Sequence, residues 1–158
     1  MAPRKKLPVV LREITAETLR PVLKLSVSEE QKKFVADNAV SISQAYFCKQ
    51  AWFRTISVGE KPVGFVMLYI DRKKADYDVW RFMIDQRYQK KGYGTAAMQQ
   101  IIEFVKGLPR ARALYLSHSP GRGNPAPFYK RFGFVHTGKM NEGEKVMKLD
   151  LGEEKARP

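Results

Sequence analysis

Residues 78–117 constrain the fold more than any other part of the chain, because they read as strand, glycine turn, helix and strand in succession. Asp78–Asp85 (DVWRFMID) is apolar and strand-like, and Gln89-Lys90-Lys91-Gly92-Tyr93-Gly94 follows it closely. From Tyr93 to Val105 the apolar residues Ala96, Ala97, Ile101, Phe104 and Val105 recur at helical spacing until Gly107-Leu108-Pro109 stops the run. Ala113–Ser117 is then a short buried strand. A helix between two strands returns the chain in its original direction, so these two strands pair in parallel.

The other strands pair differently. Trp52–Val58 and Val63–Ile70 flank Gly59-Glu60-Lys61-Pro62 as an antiparallel hairpin, and the polar loop Asp71–Tyr77 leads on to the 78–85 strand. After a Gly/Pro-rich loop to Pro125 and a short helix through Phe132, Phe134–Met140 and Glu144–Leu149 are joined by Asn141-Glu142-Gly143. Upstream, Val9–Ile14 is a first strand. Thr15 then caps a helix that takes Pro21 in an early turn and ends near Leu25. Ser28-Glu29-Glu30-Gln31 has capping-box form and opens a helix toward Val35, and Ala39–Phe47 is a further helix. One parallel pair among antiparallel ones makes a mixed sheet with helices on its faces.

A chain of 158 residues fits one domain, here 9–150, with polar or proline-bearing tails at 1–8 and 152–158. The only cysteine, Cys48, cannot form an internal bridge, and neither a signal segment nor a membrane-length apolar run is present. A cytoplasmic setting without a membrane partner is expected. His118 and His136 with one cysteine are too few for a metal cluster, so no metal is expected. The balance of 29 Lys and Arg against 16 Asp and Glu gives a net charge of +13. Such an excess implies nucleic acid, anionic lipid or a phosphorylated small molecule, with solvated surface charge as the plain alternative.

The glycine turn bears on that choice. A helix start leaves about four backbone N–H groups without partners and carries about half a positive charge. Gly92 and Gly94 lack Cβ atoms, so a phosphate can approach the backbone around Tyr93 and Thr95, and Lys90 and Lys91 add charge. The turn matches neither GxxxxGK[ST] nor the whole of GxGxxG. Glycines serving turn geometry alone remain the alternative.

Ile84–Gly94 (IDQRYQKKGYG) resembles the central [QR]xxGx[GA] motif of the GCN5-related N-acetyltransferase (GNAT) superfamily, and Phe128–Phe134 (FYKRFGF) resembles its FYxxxGF segment. The resemblance spans roughly 9–150 and implies an α/β (α+β) GNAT-type fold. That fold is a mixed, mostly antiparallel central sheet of about six to seven strands with helices on both faces. Within the superfamily, 31–45, RFMIDQRYQKKGYG and FGFVHTGKMNEGEKVMKL look most like bacterial spermine/spermidine acetyltransferases.

The implied function is acetyl-CoA-dependent transfer of an acetyl group to a small-molecule primary amine, a polyamine among the candidates, by direct attack on the thioester. By resemblance, the pantetheine arm of acetyl-CoA lies along Phe82, Met83 and Ile84, and its pyrophosphate at Gln89, Lys90, Lys91, Gly92, Tyr93, Gly94 and Thr95. Relatives often place an Asn where this chain has Arg122, which leaves Asn124 as a substitute contact. Relatives also commonly form dimers, so a homodimer is admitted.

An alkylammonium near pKa ~10.4 is neutral in about one molecule in a thousand at pH 7, so a base or a desolvating pocket must supply ~4 kcal/mol. Tyr129 matches the position of the acid for the leaving sulfur, and a neutral phenol can donate. Many relatives carry a glutamate where this chain has Trp80. Alternation would put Asp78 on the same face as Trp80, Phe82 and Ile84, so Asp78, acting through water, is the candidate base. Glu29, Glu30 and Asp37 could attract a cationic substrate. Two other classes stay open: a CoA-binding sensor without catalysis, and a nucleic-acid-binding module built on Arg4-Lys5-Lys6, Arg72-Lys73-Lys74 and Lys130-Arg131. No helix-turn-helix, zinc-finger or RNA-binding sheet signature accompanies these clusters, so nucleic acid is not the expected partner.

Overall fold

The computed structural model describes residues 8–152; the expected tails at 1–8 and 152–158 lie almost wholly outside them. Seven strands form one sheet in the order β1-β2-β3-β4-β5-β7-β6. They are β1 (Val9–Arg12), β2 (Ala51–Val58), β3 (Lys61–Asp71), β4 (Asp76–Ile84), β5 (Ala113–His118), β6 (Val135–Asn141) and β7 (Glu144–Asp150). All neighbours are antiparallel except β4 and β5. The helices are α1 (Ala16–Lys24), α2 (Asn38–Tyr46), α3 (Tyr93–Lys106) and α4 (Ala126–Lys130).

The sheet has a core on each face. Val66, Leu68 and Ile70 of β3 with Val79 and Ile84 of β4 pack against Ala97, Met98, Ile101 and Val105 of α3. Phe65 and Met67 of β3 and Met83 of β4 pack with Val22 of α1 and Leu25 on the other. Neighbours along β3 thus feed opposite cores, the two-residue period of a strand buried on both sides.

Two upstream expectations are corrected. Thr15 does cap α1, through a reciprocal box with Thr18, but Pro21 is the sixth residue of the helix rather than one of its first turn, and forgoes a bond to the Glu17 carbonyl. Ser28–Gln31 closes its box in part, with the Ser28 N–H donating to Gln31 Oε1 at 3.3 Å, yet 29–34 form turns and no helix. One helical bond forms there, from the Lys32 N–H to the Ser28 carbonyl at 3.2 Å, but the others, such as Phe34 N–H to the Gln31 carbonyl, span three residues, so no α-helical ladder builds before the Asp37 cap of α2. No helix among the described residues is long and apolar enough to cross a membrane.

Candidate active site

β4 and β5 pair only through Asp78↔Tyr115 and Val79↔Leu116. Beyond Val79 the strands part, and β4 continues from Trp80 to Ile84 with a partner, β3, on one side only. The parting coincides with a bulge. Met67 stands opposite Arg81 and Leu68 opposite Val79, so Trp80 is the extra residue. A cleft of about 850 Å³ occupies the gap.

The bulge resets the alternation of β4. Tyr77, Val79, Phe82 and Ile84 belong to the α3-side core, whereas Met83 and Trp80 pack on the α1/α2 side. Asp78 stands opposite Tyr69, in phase with Met67 and Phe65, and so lies on the α1/α2 face. The expectation that it shares a face with Phe82 and Ile84 is corrected, because strict alternation does not survive an inserted residue. Asp78 does not line the cleft. Its carboxyl is pushed up to about 7, chiefly by burial and further by the charges of Asp76 and Glu144.

Along the free edge of β4, the Asp85 N–H donates to the Val63 carbonyl at 2.8 Å. The two-residue period of the ladder then turns the Met83 amide toward β3 and those of Phe82 and Ile84 toward the gap. The Ile84 carbonyl is taken by Gln89 Nε2 at 2.9 Å. Asp85, 2% exposed, ties the strand end by accepting from the backbone N–H groups of Ser26 and Arg87 and from the Arg87 guanidinium. These bonds outweigh its burial and hold its carboxyl below the usual range.

The turn after β4 enters α3 through Gly92, the N-cap, at φ 84°. That left-handed conformation is free to glycine and costs other residues about 1–2 kcal/mol. No side chain caps the helix, and its first internal bond is the Ala96 N–H to the Gly92 carbonyl. The amides of Tyr93, Gly94 and Thr95 therefore have no protein partner among the described residues, and these three residues line the cleft together with Lys90. A Cβ on Gly94 would meet Ile84 and Phe128 at 3.4 and 3.6 Å, so helix, strand and α4 pack closely there. Lys91 is exposed and off the cleft wall. Gln89 is latched to the 28–36 segment, its Nε2 donating to Gln31 Oε1 at 2.9 Å and its Oε1 accepting from Gln31 Nε2 at 3.3 Å.

Tyr129 of α4 is buried at the back of the cleft, its ring edge-on to Phe128 and Phe134. Burial pushes its phenol well above the ordinary value, so it stays protonated and able to donate. Asn124 lines the cleft, but its Nδ2 donates to the Gly121 carbonyl and its Oδ1 accepts from the Ala126 N–H. Its amide is spent at both ends on the loop before α4.

Arg81 and Glu144 of the cleft carry no role in the sequence reading, and Arg131 figures there only in a basic cluster. Arg131 lines the cleft beside the turn, its Nη2 donating to Thr95 Oγ1 at 3.4 Å. Arg81 faces it across from β5, bonded to the Trp80 carbonyl and Gln44 Oε1. Glu144, the first residue of β7, also lines the cleft, close enough for its charge to act on Arg81. His118 and His136, set aside as metal ligands, meet Nε2 to Nε2 at 2.8 Å, so one ring donates to the other, and His118 Nδ1 lies 3.0 Å from the Ser119 carbonyl, to which it donates. No cluster of three metal-ligating side chains occurs among the described residues.

Comparisons with known proteins agree with this layout. The sequence profile of the acetyltransferase (GNAT) family matches residues 16–134. The spermine/spermidine N(1)-acetyltransferase of Bacillus subtilis (strain 168) is 29% identical over 150 residues, covering 89% of this chain and 97% of that protein. Among solved structures, the PaiA N-acetyltransferase of Thermoplasma acidophilum in complex with coenzyme A superposes with a TM-score of 0.62 at 17% identity, over 90% of this chain and 98% of the other. The ribosomal-protein-S18-alanine N-acetyltransferase of Escherichia coli does so with a TM-score of 0.66 at 13% identity, over 90% and 94%.

Proposed function

Because the chain belongs to the acetyltransferase (GNAT) family and is an N-acetyltransferase, we propose that it moves the acetyl group of acetyl-CoA onto a small-molecule primary amine. The observation that carries this reading is the junction of two unsatisfied backbone edges. The free side of β4 at Phe82 and Ile84 runs directly into the uncapped amides of Tyr93, Gly94 and Thr95. An extended amide-bearing arm suits the first and a pyrophosphate the second.

The residues present fit acetyl-CoA, which would supply the acetyl thioester. The Phe82 and Ile84 amides and the Met83 segment between them would hold its arm. The turn from Gln89 to Thr95 would hold its phosphates, with Lys90, Arg131 and, from farther out, Lys91 adding charge. Gln89 acts by fixing the turn and Asn124 by fixing the loop opposite. A backbone N–H of β4 that faces the gap is placed to polarise a carbonyl in the cleft. Tyr129 stabilises a departing thiolate as a hydrogen-bond donor, since its raised pKa keeps the proton on the phenol. Asp78 titrates in the range a general base needs, but it lies behind the cleft wall, and only an intervening water could connect it to a substrate.

The name of the B. subtilis relative puts polyamines first among the acceptors to offer. The free Cys48 suits a reducing cytoplasm. The test is calorimetric titration with acetyl-CoA, followed by a thiol-release screen over polyamines, amino acids, aminoglycosides and peptide N-termini. Saturable binding with turnover on at least one amine is expected, and absence of acetyl-CoA binding overturns the reading.

A further inference from the structure

The cleft wall is strongly one-signed. Lys32, Lys33, Arg81, Lys90 and Arg131 line it, and among the described residues Glu144 is the single carboxylate that does. No cation stands within ion-pair distance of Glu144 among the described residues. Its one hydrogen bond is from Ser119 Oγ to Oε1, at 3.4 Å, too long to count as strong. Its place is fixed by the fold: the Glu142-Gly143 turn, at φ 48° and 82°, starts β7 at Glu144, and pairing of β7 with β5, which sets Lys145 opposite His118, brings Glu144 beside Ser119 just past the end of β5.

We infer that Glu144 is the group that receives the acceptor amine, holding its ammonium and taking its proton. This rests on the acetyl-transfer reading. A protonated amine entering a cleft of five cations is stabilised at one anionic point only. When an ammonium N–H bond breaks there, the proton moves to a Glu144 oxygen, and the freed nitrogen lone pair forms the C–N bond to the thioester carbonyl carbon as the C–S bond breaks. A second N–H proton leaves with the sulfur as the thiol, so the proton on Glu144 is the one released to water. The groups tied to Glu144 are Asp78 and Arg81 on β4, whose charges it feels, and Ser119 after β5, with Lys145 next to it on β7 and the Lys32 and Lys33 ammonium groups elsewhere on the same cleft wall. Asp78 stands behind Glu144 rather than against the substrate.

The experiment compares wild type, Glu144→Gln, Glu144→Asp and Asp78→Asn with spermidine and 1,5-diaminopentane as acceptors. Glu144→Gln should lose roughly 100-fold in kcat/KM at pH 7, the lower end of general-base contributions. The loss should shrink toward pH 10, where the amine is neutral without help, and Glu144→Asp should recover part of it. Independently of turnover, titrating 1,5-diaminopentane into CoA-saturated protein should show roughly tenfold weaker binding in Glu144→Gln. CoA affinity should stay at the wild-type value, which also reports that the variant is folded. Wild-type amine affinity and pH profile in Glu144→Gln overturn the assignment, as does a full loss in Asp78→Asn that Glu144→Gln does not share. A wild type that binds acetyl-CoA but acetylates no amine overturns the proposed function, and this inference with it.

Discussion

The two walls of the cleft are assembled in opposite ways. The wall proposed for the cofactor is nearly continuous in sequence, running from Phe82 through the turn to Thr95, with α4 laid across it. The wall proposed for the acceptor is collected from distant places: the 28–36 segment, the bulge at Trp80 and Arg81, the end of β5 and the start of β7. One wall is made of backbone groups exposed by a strand edge and a helix start, the other of side chains brought together by sheet order. A backbone wall keeps its chemistry whatever the neighbouring side chains are, while a side-chain wall can change acceptor by single substitutions.

The sharpest way to break the backbone wall is Gly92→Glu. A left-handed φ and a carboxylate beside the expected pyrophosphate act together, and acetyl-CoA affinity should fall by at least roughly 100-fold, about 2.7 kcal/mol by calorimetry. Unchanged affinity would place the phosphates elsewhere. Next, Tyr129→Phe should lower kcat by roughly 10-fold to 100-fold without altering acetyl-CoA affinity, the worth of one hydrogen bond to a charged group at about 1.5–3 kcal/mol. Near-normal turnover would remove the phenol from the reaction.

Asp78 gives a test in stability rather than rate. Its folded pKa, about 7, lies above the unfolded carboxyl value, so between pH 4 and 7 the folded state holds the proton that the unfolded state has lost. Stability therefore falls as pH rises through that window, and Asp78→Asn should remove the slope and gain on the order of 1–2 kcal/mol at pH 8 in denaturant melts. A wild-type curve flat from pH 4 to 7 would show an ordinary, solvated carboxylate. The smallest effect is expected at the link between the walls: Gln31→Ala breaks the paired amides with Gln89 and should weaken acetyl-CoA binding roughly fivefold, about 1 kcal/mol.

The same contrast explains what could be read from the sequence. The turn, the β4–α3–β5 crossover and Tyr129 lie in compact motifs, and the element order follows from periodicity and turn residues with ends shifted by one or two positions. Glu144 and Arg81 were not legible as cleft residues because pairing across the sheet brings them there, and no local pattern records which strands neighbour β5. Ser28–Gln31 misled for a related reason: the capping contact is present, but Gln31 is also held by Gln89, 58 residues away, so a contact across the fold shares the side chain that a helix start would use. The face of Asp78 was misjudged because a period of two presumes that every residue on β4 has a counterpart on β3, and Trp80 has none.

That surplus residue has a wider meaning. Hydrophobic parity on β4 is kept on both sides of it, with Val79 and Phe82 reaching the same core although three positions separate them. Besides packing its ring on the α1/α2 side, position 80 makes β4 one unit longer than its partner requires, and the seam with β5 ends where that excess begins. The opening on which the proposed chemistry depends is thus written into the chain as a count, not as a residue type, and arithmetic of this kind leaves no trace in composition.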